Sequence, residues 1–161
     1  MELRSIDLEN VWDIVRLKVA QEQADFVSPN VYSLAEAYAA RESGRVALPL
    51  GLYEADEPVG FVMIGYGSIG DADEPEWAGD SYCIWRVMID SRYQGRGLGK
   101  AAVQKTLAFI RTWPCGKARY CWLSYDPQNI AAKSLYAQFG FAESGEMDGD
   151  EVIAVLSLTD D

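Results

Sequence analysis

The sequence predicts a mixed α/β chain of the α+β type, with a central, largely antiparallel sheet flanked by about four helices. Three observations lead there. Apolar residues recur at helical spacing at Val11, Ile14, Val15 and Val19, and again at Val103, Leu107 and Ile110. Two runs rich in β-formers, Val46 to Ala55 and Val59 to Ser68, are parted only by Asp56-Glu57-Pro58, the pattern of a hairpin. A third apolar run, Tyr82 to Ile89, leads into a glycine-rich segment that opens a helix.

Taken in order, Glu2 to Ile6 reads as a short strand and Leu8 to Gln21 as a first helix. Ser33-Leu34-Ala35-Glu36 has the form of a capping box, in which hydroxyl and carboxylate each satisfy an orphan backbone N–H, so a second helix is expected from Ser33 to about Gly44. After the hairpin and the third strand, Gly97 to Trp113 is an amphipathic helix that stops before Pro114. Ala118 to Ser124 is a strand, and Asn129 to Phe139 a short helix closed by Gly140. Phe141 to Glu146 and Glu151 to Leu158 make a last strand pair. No repeat, low-complexity tract or linker interrupts residues 1–161, which predicts a single domain.

Composition removes several functions. There are 14 Lys plus Arg against 25 Asp plus Glu, a net charge of −11, so nucleic acid and anionic membranes are repelled and cationic partners favoured. Histidine is absent, which excludes Ser-His-Asp and Cys-His nucleophile systems and His-ligated metal sites; no metal is expected. Cys83, Cys115 and Cys121 are odd in number and contain no C-x-x-C pair, so reduced thiols are expected. With no apolar run near the ~18 residues of a membrane span and no signal-like N-terminus, the sequence points to the cytoplasm. It is compatible with a homodimer as with a monomer.

The most informative segment is Tyr93-Gln94-Gly95-Arg96-Gly97-Leu98-Gly99-Lys100, at the mouth of the third expected helix. Glycines let a backbone approach a ligand closely, and successive N–H groups at a helix N-terminus can converge on an anion. Arg96 and Lys100 add positive charge. A Walker loop fails, because Gln94 and Ala101 stand where Gly and Ser or Thr are needed. A dinucleotide fingerprint fails on spacing and lacks its downstream acid near Arg119.

Gln94-Gly95-Arg96-Gly97-Leu98-Gly99 resembles the Q/R-x-x-G-x-G/A motif of the GNAT N-acetyltransferases. Asn129, Ala132, Leu135, Tyr136, Phe139, Gly140 and Phe141 resemble that family's N-x-x-A-x-x-L-Y-x-x-F-G-F segment. Trp85 to Gly99, Leu123 to Asn129 and Asn30 to Tyr38 are further similar to bacterial spermine/spermidine acetyltransferases. The resemblance implies a GNAT fold and acetyl-coenzyme A as cosubstrate. It implies that the amides of Gln94, Gly95, Arg96, Gly97, Leu98, Gly99 and Lys100 hold the pyrophosphate. Val87, Met88 and Ile89 would pair with the pantetheine arm as an added strand does. Asn129 matches the asparagine that bonds this arm, though an Asn opening a helix is also an N-cap. Tyr136 matches the tyrosine that protonates the departing thiolate, a role for which Tyr125 is the second candidate.

One position departs from the pattern. Polyamine acetyltransferases commonly carry an acid where this chain has Trp85, so the proton acceptor is unassigned; Glu22, Asp25 or an ordered water chain are the substitutes, with Glu22, Asp25 and Trp85 as candidate substrate contacts. Two acidic clusters, Asp71, Asp73, Glu74, Glu76, Asp80 and Glu143, Glu146, Asp148, Asp150, Glu151, can attract a polycation or serve as solvated loops. Trp77, Trp85, Tyr53 and Tyr66 can wall a cation site or fill a core. Without a histidine base, Cys83 is a poor covalent nucleophile. The expected activity is transfer of an acetyl group from acetyl-coenzyme A to a small cationic amine of the spermidine or spermine kind. The rival readings are acetylation of a protein N-terminus or an aminoglycoside, and a coenzyme A-binding regulatory module without turnover.

Overall fold

The computed structural model describes residues 1–159. Its strands are β1 (Glu2–Ser5), β2 (Val46–Glu54), β3 (Glu57–Tyr66), β4 (Ser81–Ile89), β5 (Tyr120–Tyr125), β6 (Ala142–Asp148) and β7 (Glu151–Ser157), and its helices α1 (Val11–Arg16), α2 (Asn30–Glu42), α3 (Leu98–Ile110) and α4 (Ile130–Ala137). One seven-stranded sheet runs in the order β1-β2-β3-β4-β5-β7-β6. Neighbours are antiparallel except β4 and β5, which are joined through α3, as parallel neighbours require a crossover. This is the mixed, largely antiparallel architecture that the periodicities predict.

The sheet is covered on both faces, and β3 shows why. With a side-chain period of two, Val62 and Ile64 face one way, into the cluster that holds Val103, Leu107 and Ile110 of α3 and Tyr136 of α4. Phe61 and Met63 face the other way, against Ile14 of α1 and Ala37 and Ala40 of α2. A third cluster, Ile69, Ala78, Cys83, Trp122 and Ile153, fills the far end beneath the 71–80 segment.

Three local expectations are corrected. The first helix covers Val11–Arg16 and not Leu8 to Gln21. It starts late because Asp7 and Asn10 cap one another's backbone, with the Asp7 N–H donating to Asn10 Oδ1 at 2.9 Å and Glu9 N–H to Asp7 Oδ1 at 2.9 Å. It stops early because distant residues capture its next bonds: Asn30 Nδ2 donates to the Ile14 carbonyl at 2.8 Å, and the Lys18 N–H goes to Asp90 Oδ2 at 2.9 Å. The second helix opens at Asn30, after Pro29, so Ser33 is not its cap. Ser33 is buried at 1% exposure without a partner for its hydroxyl, and Glu36 instead pairs with Arg86 at 3.3 Å. The hairpin turns at Ala55–Asp56, with Glu54 opposite Glu57, so Pro58 lies inside β3.

The feature that positions the site is a parting of strands. β4 and β5 pair only through Ser81–Cys83 with Tyr120–Trp122. Beyond this, β4 stays with β3 as far as Ile89 and β5 stays with β7 as far as Tyr125, leaving the edge of β4 from Ile84 to Ile89 facing an open wedge. The β3–β4 register slips between Met63 and Ile64, which pair with Arg86 and Ile84 and leave Trp85 as a bulged residue.

Candidate active site

The wedge opens into a groove of about 1190 Å³. One end is the glycine turn. Asp90, 3% exposed, holds it from below: its Oδ1 accepts from the Arg92 N–H at 3.0 Å and Arg92 Nε at 2.8 Å, and its Oδ2 accepts from Lys18. Burial works to raise the Asp90 carboxyl, but these bonds outweigh it and hold it below the ordinary carboxylate range. Gln94 closes the next corner, its Nε2 donating to the Ile89 carbonyl at 2.9 Å and to Gln23 Oε1 at 2.7 Å. Gly95 and Gly97 then take φ of +75°, and a Cβ added at either meets no protein atom within 4 Å. Glycine is needed here for the left-handed backbone, and the space above it is open. Gly97 is the N-cap of the 13-residue α3, whose first N–H groups lack intrahelical acceptors. That combination of free donors, positive helix end and open space fits a phosphate.

Residues proposed from sequence are placed as follows. Gln94, Gly95, Gly97, Leu98, Gly99, Lys100, Val87, Met88, Ile89, Asn129 and Tyr136 all line the groove. The Arg96 side chain turns away, donating to the Arg92 carbonyl at 3.2 Å and lying over the Tyr93 ring at 5.6 Å. Asp25 and Trp85 line the groove, whereas Glu22, exposed on the short Gln21–Gln23 turn, is not among its walls. Asn129 caps α4, its Oδ1 accepting from the Ala132 N–H at 3.1 Å, which leaves the amide Nδ2 for another partner. The two tyrosines differ. Tyr125 donates to Glu143 Oε1 at 3.0 Å, and burial with this bond pushes its phenol up to about 12. Tyr136 is stacked on Tyr125 with ring centroids 5.9 Å apart, and no hydrogen bond from its hydroxyl is found among the described residues. Burial, then the charge of Glu151, pushes the Tyr136 phenol well above its ordinary value, which favours its protonated form.

At the other end the two acidic clusters meet: Asp71 from the first and Asp148 and Glu151 from the second line the same wall as Trp85, Trp122 and Ser124. Three other members are spent elsewhere, Glu143 on Lys133 at 2.7 Å, Glu146 on Trp77 Nε1 at 3.1 Å and Glu74 on the Ile69 N–H at 2.8 Å. Of the four aromatic candidates only Trp85 reaches the groove; Arg4 covers the Tyr53 ring at 4.5 Å, Tyr66 packs on Tyr82 at 4.8 Å, and Trp77 packs edge-on to Trp122 at 6.3 Å. The Cys83 thiol is buried, and burial raises it well above its ordinary value, which opposes a covalent route. Sequence reasoning missed Asp90, Asn30 and Ser124, whose partners are distant in sequence, and the 23–29 segment, which carries no motif.

Residues 11–141 match the Acetyltransferase (GNAT) family. The chain is 31% identical over 157 residues, covering 95% of itself and 96% of the relative, to the spermine/spermidine N(1)-acetyltransferase of Bacillus subtilis strain 168. It shares its fold with an aminoglycoside acetyltransferase crystallised with coenzyme A, at TM-score 0.74 and 15% identity over 97% of this chain and 94% of that one. The PaiA N-acetyltransferase of Thermoplasma acidophilum, also with coenzyme A, superposes at TM-score 0.66 and 17% identity over 97% of this chain and 98% of that one. Among the described residues no group of acids and cysteines is arranged to hold a metal, and no helix is long and apolar enough to cross a membrane. The chain belongs to the GNAT acetyltransferase family and is an acetyl-coenzyme A-dependent N-acetyltransferase.

Proposed function

We propose that the enzyme acetylates a primary amine of a small polycation, a spermidine- or spermine-like polyamine, with the whole chain working as one catalytic domain. The observation that carries this reading is the polarity of the groove: main-chain donors at the glycine turn, an open β4 edge between, and unpaired acids beyond. An anionic cosubstrate and a cationic acceptor then enter from opposite ends. The relative named for spermine and spermidine supports the acceptor class.

In this reading the N–H groups from Gln94 to Lys100 hold the pyrophosphate. The β4 edge at Val87, Met88 and Ile89 takes the pantetheine amides, and one of its N–H groups polarises the thioester carbonyl. Asn129 Nδ2 bonds the same arm. Tyr136 donates its phenolic proton to the departing thiolate. Transfer is direct, without an acetyl-cysteine. Three unpaired cysteines suit a reducing compartment, and we place the enzyme in the cytoplasm.

The test is thiol release from acetyl-coenzyme A against polyamines, aminoglycosides and peptides. Spermidine and spermine are expected to give the highest kcat/KM. Preference for an aminoglycoside or a peptide N-terminus would reassign the acceptor, and coenzyme binding without release on any amine would make the chain a regulatory module.

A further inference from the structure

An amine is mostly protonated at neutral pH, with a reference pKa near 10, so its attack requires a proton acceptor. The bulged β4 position that faces the groove holds Trp85, which cannot serve. Resting on the polyamine reading above, we propose that Glu151, with Asp148 and Ser124, is the carboxylate that takes the proton from the attacking amine, and that Asp148 holds the positive charge of the acceptor beside it.

The groove contains few alternatives. Among its acids, Glu36 is paired with Arg86 at 3.3 Å, and Asp25 belongs to the segment tied through Gln23 to the glycine turn. The strand register sets Asp148 directly opposite Glu151, and like charges facing each other across a strand pair are destabilising. Neither has a basic partner within 4 Å among the described residues. Ser124 Oγ lies 2.5 Å from Glu151 Oε2 and 3.4 Å from Asp148 Oδ2; its single proton serves only one of them, leaving the pair short of a donor. Asp71 adds a third carboxylate to this wall.

A second observation marks the same place. Trp122, 1% exposed and lining this end of the groove, carries an indole N–H with no acceptor. A buried donor left unpaired destabilises the fold, and two facing carboxylates add to that cost. A fold with no occupant to receive here gains nothing from either. The groups facing the pair are Ser124 on β5, Tyr136 on α4, Cys83 on β4, and Asp71 and Asp73 on the loop before β4. None is basic. Burial first, then Asp71 and Glu151, raises the Asp148 carboxyl.

The proton balance closes. Glu151 accepts one proton from the ammonium and passes it to solvent, freeing the nitrogen lone pair. The C–N bond forms at the thioester carbonyl and the C–S bond breaks. Tyr136 gives its proton to the leaving sulfur, and the second proton lost by the nitrogen returns by way of Glu151 and solvent to the phenolate. One proton is released in total.

Glu151→Gln should lower kcat about 100-fold while coenzyme affinity, read by calorimetry, stays unchanged and confirms folding. Its residual rate should climb about tenfold per pH unit toward the pKa of the amine, near 10, where the unmodified enzyme has already reached a plateau. Glu151→Asp should recover part of the rate. Asp148→Asn should raise KM for spermidine more than it lowers kcat, an independent reading should the glutamine variant misfold. A Glu151→Gln enzyme with undiminished kcat and an intact plateau, or Asp148→Asn with unchanged KM, would overturn the assignment while leaving the polyamine reading in place. Absence of turnover on every amine by the unmodified enzyme would overturn both.

Discussion

At one end of the groove, donors come from the backbone of consecutive residues, Gln94 to Lys100; at the other, Asp71, Ser124, Asp148 and Glu151 arrive from separate stretches of chain. The first end is a local device. Its chemistry depends on φ angles and a helix start, both written in a short run of glycines, and it is braced by the buried Asp90. The second end is a tertiary device, in which acids with no basic partner are held against one another by strand register. In the proposed reading, recognition of the cosubstrate sits on the backbone and selection among acceptors on side chains.

Substitutions that separate the two ends test this contrast. The largest effect is expected between them: Tyr136→Phe should reduce kcat by about 100-fold or more with coenzyme affinity unchanged, measured by thiol release and calorimetry. At the glycine end, Gly97→Val puts a branched side chain where φ is +75° and where the space above is open. Coenzyme should then bind about tenfold more weakly or worse, with kcat at saturation little altered; unaltered affinity would move the pyrophosphate elsewhere.

Asp90→Asn tests the brace, and should cost about 2 kcal/mol at neutral pH because N–H groups of Lys18 and Arg92 lose a charged acceptor. The Asp90 carboxyl sits below its ordinary value in the folded state, so its contribution is complete above the unfolded pKa near 4 and disappears as pH falls through the lower folded value. The stability gap between the two proteins should accordingly close on acidification below about pH 4, as read by denaturant titration. The smallest effect belongs to Cys83→Ala. It should leave turnover within about twofold and cost about 1 kcal/mol of packing, since the thiol is a buried member of the far cluster. Loss of turnover there would revive a covalent acetyl-cysteine.

Much of the fold was legible because α3 is strongly periodic and β3 is a run of β-formers bounded by turn residues, each packing as those signals predict. Two of the misread elements share one cause. The apolar spacing of Val11 to Val19 does continue, but Asn30 and Asp90 take the bonds that would extend α1. The spacing of Ser33 and Glu36 fits a capping box, yet Asn30 is held on the Ile14 carbonyl and starts the helix three residues earlier. In both cases a buried side chain from elsewhere outcompeted a local signal.

The same division holds for function. By itself the sequence determined the glycine turn, the Asn129 to Phe141 segment and the missing acid at Trp85, because each is a matter of which residues are neighbours along the chain. It displayed two acidic clusters without saying where they point. Only the tertiary structure brought Asp71 to the same wall as Asp148 and Glu151, and only the parting of β4 from β5 made that wall continuous with the glycine turn. The reason is physical: donors on consecutive residues converge through local backbone angles, whereas Asp71, Ser124 and the Asp148–Glu151 hairpin are distant in sequence and are brought together only by a sheet stable enough to carry the cost.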